Sequence, residues 1–421
     1  QPLQIHRISS PTGRTDWVPN QSGLGRIWAV IVVLESHPWR HPLAQTETAQ
    51  ATNFFLDGNF APVSDERDAQ DMPVLGEIPK DLAGHFLRVG PNPAHIFNEA
   101  AYHTFDGDGM IHAMTFNEGS AHYRNRFVQT EGYKLEQAHG GWLYKGMNSM
   151  MDPTPSELPS GAPKNKNLAN TAFAYHNKTL YALHEPSQPT IIDLPELATQ
   201  GATNFDGKLK HPFTAHPKVD HSSGEMMTFG YAFQAPFVTY SVISASGELV
   251  HSTPITISKP VFMHDFAVTE KYSLFLDFPI TLDIERAIAG GPALGFEPEH
   301  GSRIGVMPRF GRDQDVRWFD VATGSVVHTA NAWDDGDDVV LQASRSKTSD
   351  IAGAGLNAEN LEETQGQLYE WRINLTTGVV TERTLSAVYC DFTRVNDLHA
   401  CHPTRFVYAA AFNPERPFSF D

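Results

Sequence analysis

The sequence predicts an all-β protein, a long series of hairpins. Short apolar-alternating runs fill the chain from about Asn53 onward, small or polar residues with a Gly separate them, and the unit recurs over hundreds of residues. "FNEGSAHYRNRF", "KVDHSSGEMMTFGY", "YSVISASGELVHSTPI", "WFDVATGSVVHTA" and "WRINLTTGVVTERTL" all show it. Such a series suits a pair of sandwiches, a large barrel or a propeller. The spacing is irregular and no WD or kelch signature repeats, so pattern alone leaves these open.

Taken in order, residues 1–52 form an N-terminal extension, read as a targeting or poorly ordered segment. Its first fifty residues hold four Arg, no Lys and three acidic residues. Its apolar run "IWAVIVVL" has eight residues, too few to span a bilayer, and reads as a strand or part of a targeting segment. Residues 53–421 read as one domain, because nothing resembles a linker. Within it, Met147–Asn167 is an exposed loop rich in Pro and Lys, and Lys347–Gln367 a polar one. Ile280–Gly301 carries a short helix stopped by Gly290, Gly291 and Pro292.

Composition narrows the function. The 421 residues are 40% hydrophobic and 19% charged, with 32 Gly and 29 Pro, a turn-rich globular balance. A net charge of −18 argues against a nucleic-acid partner, since no basic surplus exists to neutralise phosphates. It leaves an uncharged, apolar substrate open. Two cysteines, Cys390 and Cys401, exclude a disulfide framework and fit a reducing compartment. No G-x-S-x-G elbow occurs. "FDGDGM" (Phe105–Met110) reads as a hairpin turn ahead of a calcium or phosphate loop, and "DDGDD" (Asp334–Asp338) as a solvated acidic turn.

One stretch resists the hairpin reading. "KPVFMHDFAVT" (Lys259–Thr269) looks like a buried strand with Phe262, His264, Phe266 and Val268 on one face. An imidazole buried there without partners costs a few kcal/mol, so something must hold its nitrogens. Two of the other nineteen histidines share that setting, His216 in "FTAHPKVD" and His328 in "VVHTANAWDDGDDVV". The separations, 264 − 216 = 48 and 328 − 264 = 64, are too long for ligands on one element. They suit one ligand per hairpin unit, converging on an axis. Imidazole-only ligation favours a borderline transition metal over magnesium or calcium. A ligating imidazole needs its second nitrogen anchored, and Glu185 in "LYALHEPSQP" and Asp391 in "VYCDFTRVN" are candidates. As a lone residue, either acid is more ordinarily a solvated strand-end carboxylate.

Long co-linear motifs then make the chain resemble the carotenoid cleavage dioxygenases, most of all the plant-type branch acting at the 9,10 (9′,10′) double bonds. They include "LDGNFAPVSDE", "GEIPKDLAGHFLRVGPNP", "YHTFDGDGMIHAM", "LKHPFTAHPKVD", "PITISKPVFMHDFAVTE" and "VVHTANAWDDGDDVVL", and the likeness runs from about Asn53 to Asn396. The resemblance implies a seven-bladed β-propeller with Fe(2+) on its axis, reached by an apolar tunnel. It matches His216, His264 and His328 to iron ligands, and Glu185 and Asp391 to the carboxylates behind them; "FT" after Asp391 replaces the family's Phe-Pro. It implies an apolar polyene and O2 as substrates and two carbonyl products. The family's fourth histidine and third glutamate lie further toward the C-terminus, so the chain is expected to be C-terminally incomplete, with the last strands missing. His399 and His402 match no family ligand. The segment after "GGWLYKG" is shorter than the family's membrane-dipping region, so at most a weak membrane-surface contact is expected. The compartment stays open between cytoplasm and plastid. A non-catalytic apolar-ligand-binding propeller, or a stilbene-cleaving or isomerising relative, is the alternative.

Overall fold

Tight turns decide which strands pair. In the turn after Asp108–Asn117, Glu118 and Gly119 take φ of 47° and 84°, and after Ala172–His176, Asn177 and Lys178 take 45° and 61°. Two consecutive positive φ values match the twist of antiparallel strands. Each turn therefore folds the chain back onto its own neighbour.

The computed structural model describes residues 3–5, 32–33, 53–289, 291–349 and 361–412. Repeated turning yields five successive antiparallel meander sheets of four or five strands among these residues. The first holds Gly84–Asn92, Asp108–Asn117 and Ser120–Phe127, closed on its outer edge by Asp68–Ala69 from earlier in the chain. The second runs from Ala172–His176 to Ala198–Ala202, and the third from Lys218–Asp220 to Leu249–Ile255. The fourth runs from Ala267–Val268 to Arg317–Val321 and the fifth from Ser325–Asp335 to Tyr408–Ala411. This is the expected all-β propeller; five sheets form among the described residues, against the seven blades implied by resemblance.

Apolar clusters lie between consecutive sheets. Phe229, Tyr240, Phe266 and Phe275 join the third to the fourth, and Leu276, Ile304, Trp371 and Ile373 the fourth to the fifth. Each fully buried large side chain contributes roughly 1.5–3 kcal/mol. The stack of sheets is thus held face to face, and the chain-first strands Ala267–Val268 and Ser325–Asp335 approach each other on the inner side.

Four of the five predicted hairpin signals form hairpins. The fifth, "WFDVATGSVVHTA", does not. Among the described residues Arg317–Val321 pairs only with Ser302–Pro308, whereas Ser325–Asp335 begins the next sheet. The intervening turn is held instead by the Gly324 amide donating to Ser302 Oγ and the Ala322 amide to Glu382. "FDGDGM" closes the long connection between the paired strands Gly84–Asn92 and Asp108–Asn117, with a 3-10 turn at Thr104–Asp106. Its acids are committed: Asp106 accepts the Met147 amide, and Asp108 pairs with Lys166 at 2.6 Å. "DDGDD" is a hairpin turn with Arg372 bonding Asp335 and Asp338.

Helix Ile284–Ile288 forms as expected, capped by Asp283, inside a small excursion between Ile280–Leu282 and Leu294–Phe296. Met147–Asn167 is loop apart from a 3-10 turn at Met147–Ser149. Of the polar loop, residues 350–360 lie outside the described residues, as does the N-terminal extension apart from Leu3–Ile5 and Val32–Val33, two short strands that pair with each other. No described helix is long and apolar enough to cross a membrane.

A Cβ on Gly230 would lie 1.9 Å from the Pro212 carbonyl oxygen, in the segment leading to His216. Gly230→Ala should therefore cost about 1–3 kcal/mol by overpacking, read as a lower urea midpoint at unchanged slope. Burial pushes His103, His112 and His184 down from 6.5 to about 4. The unfolded chain then binds more protons than the folded one between those values, so folding stability is present above 6.5 and drains away as pH falls toward 4. Urea midpoints at pH 7, 6 and 5 should decline in that order.

Candidate metal centre

Three irregularities in otherwise regular strands create the site. The first precedes Lys218–Asp220: the Thr214 amide bonds the Phe229 carbonyl, and the His216 amide donates to Thr214 Oγ at 3.0 Å. The second corrects the reading of Lys259–Thr269 as a strand. Only Ala267–Val268 is strand there. The Met263 amide bonds back to the Val261 carbonyl and the Phe266 amide to Asp265 Oδ1, so no ladder spans His264. Phe262 and His264 still share a side, with stacked rings 5.3 Å apart, while Phe266 enters the core. The third lies inside Ser325–Asp335, whose pairing slips between Val326 and Thr329, at His328.

These segments open the third, fourth and fifth sheets, and their imidazoles meet. Ring centroids are 4.5 Å apart for His216 and His264, 5.1 Å for His216 and His328, and 5.0 Å for His264 and His328. One nitrogen from each lies within 4.8 Å of the others. Nε2 of His216 and Nε2 of His264 are 2.9 Å apart. Two imidazole–metal bonds of about 2.1 Å at a right angle would set such nitrogens about 3.0 Å apart. The spacing fits a shared ion.

The opposite ring nitrogens of two of them are anchored. His264 Nδ1 meets a Glu185 carboxylate oxygen, and His328 Nδ1 lies 3.0 Å from Asp391 Oδ2. A carboxylate at Nδ1 holds the proton there and leaves the Nε2 lone pair facing the centre. Tyr231 donates its hydroxyl to the other Glu185 oxygen; burial first, then Glu185, pushes that phenol well above its usual value, so it stays protonated. Burial, aided by the neighbouring His264, drives His216 well below 6.5. Burial pulls His264 the same way, and Glu185 more than offsets it.

Other groups at the site escaped sequence reasoning. Lys218 pairs with buried Asp265 at 2.6 Å, and Asp265 also accepts the Thr329 amide and hydroxyl, both at 2.8 Å. Their signal was available: charged residues beside the two histidines, in "HPKVD" and "MHDF", inside apolar runs. With the imidazoles neutral, as metal ligation requires, formal charges here sum to −2, from Glu185, Asp265 and Asp391 against Lys218. A divalent cation would balance them. Soft thiolates are absent from the donor set, and imidazole suits iron, zinc, copper or nickel. His399 and His402 stand apart, as expected; His402 sits beside Asp220 and Glu270, at 3.8 and 3.6 Å.

An all-β propeller in which three histidines converge as a potential metal site defines a class of metal-dependent protein. The chain belongs to the retinal pigment epithelial membrane protein family, which matches residues 60–421. The carotenoid 9,10(9′,10′)-cleavage dioxygenase of Crocus sativus is 40% identical over 372 residues, 84% of this chain and 68% of its own. The isoeugenol monooxygenase of Pseudomonas putida is 30% identical over 375 residues, 86% of this chain and 77% of its own. Among solved structures, the lignostilbene dioxygenase of Pseudomonas brassicacearum superposes with a TM-score of 0.78 at 30% identity, covering 89% of this chain and 79% of its own. A cobalt-substituted apocarotenoid oxygenase of Synechocystis gives 0.70 at 28%, covering 83% and 76%.

Glu185→Gln removes the anionic partner of His264 while keeping its size. Losing such an anchor costs roughly 10–100-fold in metal affinity. Chelator competition should show that loss, whereas His399→Ala should bind metal as the parent does.

Proposed function

We propose that this protein is a non-haem iron(II) dioxygenase that cleaves a conjugated C=C bond of a carotenoid or apocarotenoid. O2 supplies one oxygen atom to each of two carbonyl products. His216, His264 and His328 hold the ion, and Glu185 and Asp391 orient two of those rings. The observation that carries the reading is the convergence of these imidazoles, drawn from three sheets, in a chain 40% identical to a carotenoid-cleaving relative.

Ferrous iron bound there would supply Lewis-acid activation of dioxygen. Around it the chain supplies an apolar wall. The Phe262 ring stacks on His264, and the Phe392 ring lies 4.7 Å from that of His328. Tyr231 packs edge-on against Phe262, at 5.9 Å between centroids. Such faces favour a polyene over water, and their π clouds attract positive charge developing along it. Only the reacting bond set against the metal is cleaved, so the wall governs regiochemistry.

A second reading keeps the chemistry and changes the substrate to a stilbene. The 0.78 superposition on a lignostilbene dioxygenase favours it. Iron-loaded protein should be offered carotenoids, apocarotenoids and stilbenes under 18O2. The proposal expects O2 uptake with the polyenes, two labelled carbonyl products, and uptake at metal-free background after His264→Ala. Turnover of stilbenes alone would select the second reading. Binding of polyenes without oxygen consumption would select a non-catalytic propeller.

A further inference from the structure

The buried carboxylate of Asp265 touches all three histidine-bearing segments, and nothing in the chemistry above uses it. Its side chain is 2% exposed. Oδ1 pairs at 2.6 Å with Lys218, two residues beyond His216. The same oxygen accepts the Phe266 amide at 2.8 Å, fixing the turn that carries His264. Oδ2 accepts the Thr329 amide and hydroxyl at 2.8 Å, one residue beyond His328.

We infer that Asp265 is the positioning residue of the metal centre, tying the three histidine-bearing segments into one rigid unit before any ion arrives. The inference rests on the metal-binding reading of His216, His264 and His328.

Two of these contacts, to Phe266 and Thr329, sit beside irregular pairing. Between Phe262, whose amide reaches the Ile280 carbonyl, and Ala267 no strand pairing forms, and at His328 the pairing slips by a residue. Backbone donors at such places must find partners or pay for burial. Asp265 is that partner for both segments, so the placement of both backbones depends on one carboxylate. Burying that charge costs several kcal/mol unless it is paired and hydrogen-bonded. Lys218 and Thr329 supply the pairing, and the Lys218 ammonium also lies 5.9 Å from the Phe266 ring. Glu185 and Asp391 each orient a single ring. Asp265 touches no ring and sets the spacing between the segments that carry them. A site whose ligand spacing is fixed in advance loses less ordering entropy on binding.

Asp265→Asn tests this, with cobalt(II) as the probe. The amide retains one acceptor for Thr329 and loses the charge that holds Lys218. Expected are a folded apo-protein by circular dichroism, cobalt binding weakened about 10–100-fold, and a shifted visible cobalt(II) ligand-field spectrum. A merely structural residue would lower thermal stability while leaving that spectrum in place. Parental affinity and spectrum in a folded Asp265→Asn protein would overturn the proposal. Should that variant not fold, Lys218→Met and Thr329→Val each remove one contact. A spectral shift in both would support the proposal, and parental spectra in both would overturn it. Failure of the parent itself to bind cobalt would instead remove the metal-binding reading.

Discussion

Three imidazoles aimed at one point are poor company without a cation between them. The carboxylates at Nδ1 of His264 and His328 leave each Nε2 lone pair facing the centre, where His216 Nε2 lies 2.9 Å from that of His264. The arrangement is tolerable because a divalent ion can accept all three lone pairs. Everything else in the molecule serves that convergence. A propeller brings strands from separate sheets to one axis, which is why ligands 48 and 64 residues apart can share an ion. A single helix or hairpin could not reach across such gaps.

Charge follows the same logic. Two carboxylates stand behind the rings and a third joins their segments, while one ammonium opposes them. In a low-dielectric interior an excess of −2 is costly. Part of the relief comes from hydrogen bonds, with Tyr231 donating to Glu185 and Thr329 to Asp265. The remainder is of the sign and size that one divalent ion supplies. Neutral ligands leave that ion its full positive charge, with the balancing negative charge held one layer back. There it steadies the metal without occupying its coordination positions.

Much of this was legible in the sequence, for local reasons. His216, His264 and His328 stood out because each polar ring interrupts an apolar run, and burial makes such interruptions expensive. Glu185 and Asp391 were readable as strand-end acids, but their partners depend on which sheets become neighbours, a long-range fact. Asp265 was hidden by alternation: in a strand it would face away from His264. The structure escapes that rule by having no strand at residues 262–266. "WFDVATGSVVHTA" misled for a related reason. A Gly-bearing turn between two strands has the same local pattern whether it folds a hairpin or hands the chain to the next sheet.

The strand Val380–Arg394 shows how backbone strain can be put to use at the site. Its regular alternation would send Asp391 and Phe392 to opposite faces. Yet the Asp391 carboxylate reaches His328 Nδ1, and the Phe392 ring lies beside the same imidazole. The resolution is at Phe392 itself, whose φ is +53°, together with a slip in pairing between Asp391 and Arg394. A left-handed non-glycine residue costs of the order of 1–3 kcal/mol and persists only where its surroundings demand it. Here the kink brings an anchoring carboxylate and an aromatic ring to one histidine from adjacent positions. A straight strand would have to choose between orienting the ring and covering it. The strain is therefore best understood as the local cost of doing both, offset by the hydrogen bond to His328 and by the sheet contacts on either side.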